Sequence, residues 1–285
     1  MLGTALLARL RGEGHAVERL VRGGRDGIVW DPATYALTSP DQLSAFDAIV
    51  HLGGEGIVGR WTTEKKRRIR DSRVQSTRAL AQTVARLEDK PSVLVVASAI
   101  GYYGDRGNEE LTEKSPPGSG FLAEVCQEWE KAADPARDAG IRVVHLRFGM
   151  VLSARGGALK TMLPPFKVGL GGKVGSGRQW MSWISLDDAM GVVLHALTDN
   201  TIEGPINAVA PTPCTNLEFT KTLGSALHRP TALPVPAFLV RLALGEMADA
   251  LLLASQRVRP GELSASGYPF QHTAVKEALS NAIAP

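Results

Sequence analysis

Apolar residues along this chain follow two rhythms. Leu2, Leu6, Leu7 and Leu10 recur at helical spacing until Gly12 and Gly14 end the run, and residues 16–21 then predict a strand. Residues 48–52 predict a second short strand leading into Gly53-Gly54. The stretch 61–87 is helical, with Ile69, Leu80, Val84 and Leu87 on one side. Val93-Leu-Val-Val-Ala97 is continuously apolar, as a strand buried on both faces must be. A helix over 124–139, a strand over 142–146 and helices at about 158–168 and 187–198 follow, the last with Ser185 or Asp187 as its cap.

Strands separated by helices of this length predict a parallel sheet with right-handed βαβ crossovers. The texture changes at Pro230. Pro230, Pro234 and Pro236 lead into an apolar stretch, 237–254, that Arg241, Glu246 and Asp249 interrupt at helical spacing. A membrane span tolerates such charges poorly, so an amphipathic or buried helix is expected. A Gly267-Tyr-Pro-Phe270 turn and a last helix from about Thr273 complete the chain. The expected division is an α/β body over 1–229 and a small helical C-terminal module, 230–285, packed on it.

Composition narrows the function classes. The 285 residues are 44% hydrophobic and 21% charged, ordinary for a soluble protein with a real core. Net charge is +3 and the basic residues are interleaved with acids in most of the chain, so charge by itself points to neither nucleic acid nor membrane. The densest basic cluster (Lys65, Lys66, Arg67, Arg68, Arg70, Arg73) shares its helix with Glu64 and Asp71 and reads as a solvated face. Cys126 and Cys214 lie outside any CxxC pattern and the six histidines are scattered. No disulfide framework and no metal site are expected, and a reducing, cytoplasmic compartment is. Arg9, Arg11, Arg19 and Arg22 imitate a transit peptide, but Glu13, Glu18 and the glycine break argue against one.

A Rossmann domain opens with a strand, a glycine-rich turn and a helix whose N-terminus faces the cofactor pyrophosphate. This chain begins inside that helix, with Gly3 where the last glycine of a GxxGxxG fingerprint stands. The fold class expected is a Rossmann-like doubly wound sheet lacking its N-terminal first strand; if the start is internal, the DNA upstream of Met1 encodes an apolar strand and GxxG. Arg22 ends the second strand, where NAD-preferring sites place an acid. It can pair with an adenosine 2′-phosphate, favouring NADP (NADPH) over NAD, or be a solvated strand-end arginine.

His51-Leu-Gly-Gly-Glu-Gly56, Trp61 with Ser72-Arg-Val-Gln-Ser-Thr77, Ser98-Ala-Ile-Gly-Tyr-Tyr-Gly104, Leu146-Arg-Phe-Gly-Met-Val-Leu152, Gly175-Ser-Gly-Arg-Gln-Trp-Met-Ser-Trp-Ile184 and Asn207-Ala-Val-Ala-Pro211 follow in this order. The set resembles the epimerase-like family of atypical extended short-chain dehydrogenases, some of whose members are named cell-division inhibitor-like. The region 234–285 is similar to that family's uncharacterised C-terminal domain. The resemblance implies cofactor contacts at Gly3, Arg22, Leu52, Gly53, Arg68, Arg73 and Val151.

In that superfamily a serine after the fourth strand binds the substrate oxygen and a YxxxK tyrosine transfers the proton. Ser98 fits the first role or caps a strand end. Glu130, set on the acid that usually follows YxxxK, puts Leu122 and Cys126 at the Tyr and Lys positions. Neither can do that chemistry, and Tyr102 or Tyr103 is the substitute near Ser98. Arg178 and Trp180, in a glycine-rich stretch, are expected on the substrate side of the cleft.

Two functions follow: an NADP-dependent oxidoreductase or epimerase for a small or nucleotide-linked substrate, or a non-catalytic NADP-binding regulator or scaffold. A homodimer or a regulatory protein is a possible partner of either.

Overall fold

The computed structural model describes residues 1–21, 27–31, 34–37 and 39–284. It opens on helix α1 (Leu2–Gly12), followed by β1 (Leu20–Val21), β2 (Ile28–Asp31), β3 (Ala36–Leu37) and β4 (Ala48–His51). Helix α2 (Thr63–Ala85) is capped by the Thr62 hydroxyl, which accepts from the Lys65 amide at 3.2 Å. Strand β5 (Val93–Ala99), β6 (Glu110–Leu111), α3 (Phe121–Lys131), α4 (Asp134–Asp138) and β7 (Arg142–Phe148) come next. Then follow β8 (Met150–Leu152), α5 (Gly157–Lys167), β9 (Trp180–Met181), β10 (Trp183–Ser185), α6 (Leu186–Thr198) and β11 (Gly204–Ala208). The chain closes with β12 (Cys214–Thr215), α7 (Asn216–Ala226), α8 (Ala237–Leu244), β13 (Arg257–Val258), α9 (Gly261–Ala265) and α10 (Val275–Ile283).

The central sheet is parallel, in the order β11-β7-β5-β4. The apolar run predicted at 93–97 lies at its centre, and Val93, Leu94, Val95 and Val96 are fully buried. Helices α2, α3 and α4 cover one face; α6 covers the other, with α1 against it. Such two-sided cover is what makes the strand sequences apolar without alternation. The far edge of β4 is unpaired among the described residues, and β1, β2 and β3 form a separate small sheet.

Several boundaries differ from expectation. The strand predicted at 16–21 is regular only at Leu20–Val21. The helix expected over 124–139 is two helices, because Pro135 has no amide to continue a helix and starts a new one at its first turn. The apolar stretch 237–254 also divides. Gly245 adopts φ 60, a left-handed conformation open to glycine, and ends α8 before a wide-pitch turn at Ala248–Leu253.

The residues after Pro230 are woven into the body. Strand β13 pairs with β6. Gln256 Nε2 donates to the carbonyls of Ile100 and Gly104, both at 3.0 Å. The C-terminal residues therefore brace the loop that follows β5.

Candidate functional site

A cavity of 1130 Å³ lies between the free edge of β4 and the small sheet. Its deeper wall is apolar, from Leu6, Leu10, Ile28, Ile49 and Leu80. At the end where the parallel strands finish, Gly3, Leu52, Gly53 and Arg68 line it together. Ligands of open α/β sheets sit at this end of the strands. Four of the residues that the family resemblance implied as cofactor contacts thus share one cavity; Arg22 lies outside the described residues.

The turn after β4 is pinned from behind. A Cβ on Gly53 would stand 3.0 Å from His51 Cε1, and one on Gly54 3.1 Å from Arg73 Cζ. His51 Nε2 is 3.0 Å from the Ser76 hydroxyl, and burial pushes the ring down to about 4, so it is neutral at pH 7. Arg73 donates to the carbonyls of Glu55 at 3.0 Å and Ile69 at 3.1 Å, and its guanidinium lies over Trp129 at 5.1 Å. It supports the turn from below and does not line the cavity. Around Gly3 a Cβ would meet nothing within 4 Å, so the first turn of α1 is open on that side. The bare backbone at Leu52 and Gly53 and the amides opening α1 suit a ligand with phosphates and a flat ring. Arg68, exposed, approaches Glu55 only to 3.8 Å and Glu64 to 3.9 Å. Val151 sits on β8 opposite Ile184, half-buried and outside the cavity, and its carbonyl faces Gly157 near Met1.

Ser98, Tyr102 and Tyr103 gather round a different centre. Ser98, buried at the end of β5, donates to Glu130 Oε1 at 2.7 Å. Arg147, 3% exposed, makes a fork to the same carboxylate: Nε to Oε1 and Nη2 to Oε2, both 2.8 Å. Its Nη1 donates to the Tyr103 hydroxyl at 2.9 Å, which donates to Asn207 Oδ1 at 2.7 Å. Burial pulls Arg147 down, but the hydrogen bonds and charge of Glu130 more than restore it, so the guanidinium stays above its ordinary value. Burial pushes Tyr103 up to about 12 despite Arg147, and pushes Cys126 up to about 12 with help from Glu130. Neither exchanges protons near neutral pH.

Tyr102 is different. Its ring lies under Arg147, 3.5 Å from the guanidinium carbon, and its hydroxyl has no hydrogen-bond partner among the described residues. Leu122 and Cys126 pack against Gly101, beside this loop. Arg178 is exposed on its loop. Trp180 is half-buried, its indole donating to Asn108 Oδ1 at 3.1 Å and its face under Arg257 at 4.7 Å. Neither lines the cavity.

The partnership of Glu130 and Arg147 was not anticipated. The available signal was Arg147 itself, a charge between the apolar Leu146 and Phe148 of strand β7, which burial tolerates only with a partner. The partner's identity, 17 residues away on α3, had no marker in the sequence.

The profile of the NAD dependent epimerase/dehydratase family matches residues 1–208, and that of a domain of unknown function (DUF1731) matches residues 235–282. Among curated proteins, epimerase family protein ML0860 of Mycobacterium leprae is 42% identical over 99% of this chain and 92% of its own length. A crystal structure of human epimerase family protein SDR39U1 with NADPH superposes with a TM-score of 0.90 at 34% identity, covering 99% of this chain and 95% of the human one. A nucleoside-diphosphate sugar epimerase of Corynebacterium glutamicum superposes at 0.82 with 39% identity, covering 99% of this chain and 56% of that longer one. This chain belongs to the NAD dependent epimerase/dehydratase family and carries that family's Rossmann-like α/β fold.

Proposed function

We propose that this chain binds NADP(H) at the strand-end of the cavity and reduces or epimerises a small or nucleotide-linked substrate beside it, toward the loop after β5. The observation that carries the reading is the meeting of Gly3, Leu52, Gly53 and Arg68 in one cavity. The human relative crystallised with NADPH and the Corynebacterium sugar-nucleotide epimerase support the cofactor and the substrate class. In this reading the opening amides of α1 hold the pyrophosphate and Leu52–Gly53 lies against the adenosine. Arg68, with Arg22, answers the 2′-phosphate. Arg73 and His51 act as positioning residues under the turn. A bound nicotinamide supplies or takes a hydride. Tyr102, with its free hydroxyl, is the group that moves the proton, since Ser98 and Tyr103 are already engaged. Val151 borders the opening of α1, and Arg178 and Trp180 form the outer, substrate-side wall.

The same engagement favours a second reading, a non-catalytic NADPH-binding regulator. Calorimetric titration with NADPH and NADH tests the shared part. NADPH should bind more tightly, Gly53→Val should weaken both cofactors, and Arg68→Ala should cost NADPH alone about tenfold. A folded chain that binds neither dinucleotide overturns the reading. Single-turnover oxidation of bound NADPH across sugar nucleotides then separates the two: turnover lost in Tyr102→Phe supports the enzyme, and none with any substrate supports the regulator.

A further inference from the structure

Two stretches of this chain carry cations without acids. Residues 153–186 include Arg155, Lys160, Lys167, Lys173 and Arg178 and no aspartate or glutamate; residues 219–245 include Lys221, Arg229 and Arg241 and again no acid. The fold lays them side by side. Arg229 Nε donates to the Lys167 carbonyl at 2.8 Å, the Val235 amide to Lys173 at 2.8 Å, and the Gly175 amide back to Val235 at 2.9 Å. Val174 and Val235 form a parallel bridge.

This joined surface is also where apolar side chains stand uncovered. Val168, Leu170, Leu233, Phe238, Leu239 and Leu242 are between 46% and 75% exposed. Helix α8 turns Val240 and Leu244 inward, the latter beside Trp61 and Met247, and leaves Phe238, Leu239 and Leu242 on its outer side. Apolar side chains left exposed together in this way mark an interaction site. Lys160, Lys167, Lys221 and Arg229 form no ion pair among the described residues, whereas Arg241 is answered by Asp249 at 2.9 Å. The whole-chain charge of +3 conceals this asymmetry.

We propose that this face docks on the surface of an anionic phospholipid bilayer. Phe238, Leu239 and Leu242 enter the boundary between headgroups and acyl chains, and the surrounding cations meet lipid phosphates. A second copy of the chain is the weaker occupant, because it would bring the same uncompensated positive charge against itself. Among the described residues no helix is long and apolar enough to cross a membrane.

Sedimentation with vesicles tests this on the full chain. Vesicles of phosphatidylcholine with about a third phosphatidylserine should carry the protein down at least about tenfold more strongly than phosphatidylcholine alone, and 0.5 M salt, roughly three times physiological strength, should release it. The Phe238→Glu/Leu242→Glu chain should lose that binding. Both positions are exposed, and an unchanged circular dichroism spectrum and thermal midpoint verify its fold. Lys167→Glu/Arg229→Glu should lose binding to the anionic vesicles as well. Absence of sedimentation with either vesicle overturns the proposal, as does binding that ignores lipid charge or the double glutamates. A dimer in solution that the double glutamates dissociate, without vesicle binding, also overturns it and assigns the face to a second copy.

Discussion

Arg147 lies buried near the end of strand β7, and its charge is answered inside the protein by Glu130, with Tyr103 and Ser98 completing the set. Removing one member of a buried pair strands the other's charge, at a cost of about 3–5 kcal/mol. Glu130→Leu should therefore lower the urea unfolding free energy by that order. The double variant Glu130→Leu/Arg147→Met should recover most of it, and equal losses in the single and double variants would sink the account. His145 adds a pH dependence. Burial, with Arg137 3.3 Å from its Nε2, holds it at about 4 in the fold against an ordinary value of 6.5. Between those values the unfolded chain takes up the proton and the folded chain does not, so stability falls as pH drops from 6.5 to 4 and is fully present above 6.5. His51 contributes with the same sign. The slope of unfolding free energy against pH near 5 should shrink in His145→Gln by one proton, about 1.4 kcal/mol per pH unit. A slope that the substitution leaves unchanged refutes this assignment.

Elements are held to one another by a few polar clasps. Asp188, fully buried in the first turn of α6, accepts the Gln271 amide at 2.7 Å, the His272 amide at 3.0 Å and the Ser185 hydroxyl at 2.7 Å. Its carbonyl accepts the Tyr268 hydroxyl at 3.1 Å, close above Gly191. Asp188→Ala orphans two backbone donors, which costs about 3 kcal/mol and loosens the strap into α10. Limited proteolysis should then cut within 268–274 well before the wild type is touched, and equal resistance would count against the clasp. This strap also shows what the sequence made legible. The central strands and long helices follow from apolar periodicity, because burial on two faces writes itself into composition. Strand β11 carries no strand signature in the sequence, because Gly204 and Pro205 open it like a turn, although it is the outer strand of the sheet. The division at Gly245 was hidden by helical spacing that continues past it. In the candidate site, the turn after β4 was legible because Gly53 and Gly54 end a short apolar strand. The Glu130–Arg147 pairing was not, since it depends on which helix crosses which strand.

At the scale of the molecule, two sheets face one another over the 1130 Å³ cavity, and among the described residues neither pairs with the other. The four-stranded sheet has helices on both faces, whereas the small one is three short strands with few fully buried side chains. Opening of the small sheet away from β4 uncovers Ile28 and Leu37 but leaves the core of the four-stranded sheet covered, so it should precede global unfolding. If Arg22, the residue after β1 in sequence, meets the 2′-phosphate as proposed, a dinucleotide bound between α1 and the Leu52–Gly53 turn joins both bodies, and every separation of the two must first release it. At a ligand concentration a hundred times Kd this linkage is worth about 2.7 kcal/mol, or roughly a hundredfold slowing of any exchange that needs the separation. Hydrogen exchange with saturating NADPH should therefore slow the amides of Leu20–Val21, Ile28–Asp31 and Ala48–His51 by up to that factor. Amides of Val93–Ala99 and Arg142–Phe148 that exchange by smaller openings within the central sheet should keep their rates. Slowing confined to the central strands, with the two cavity edges unaffected, would show that the cofactor does not bridge the sheets.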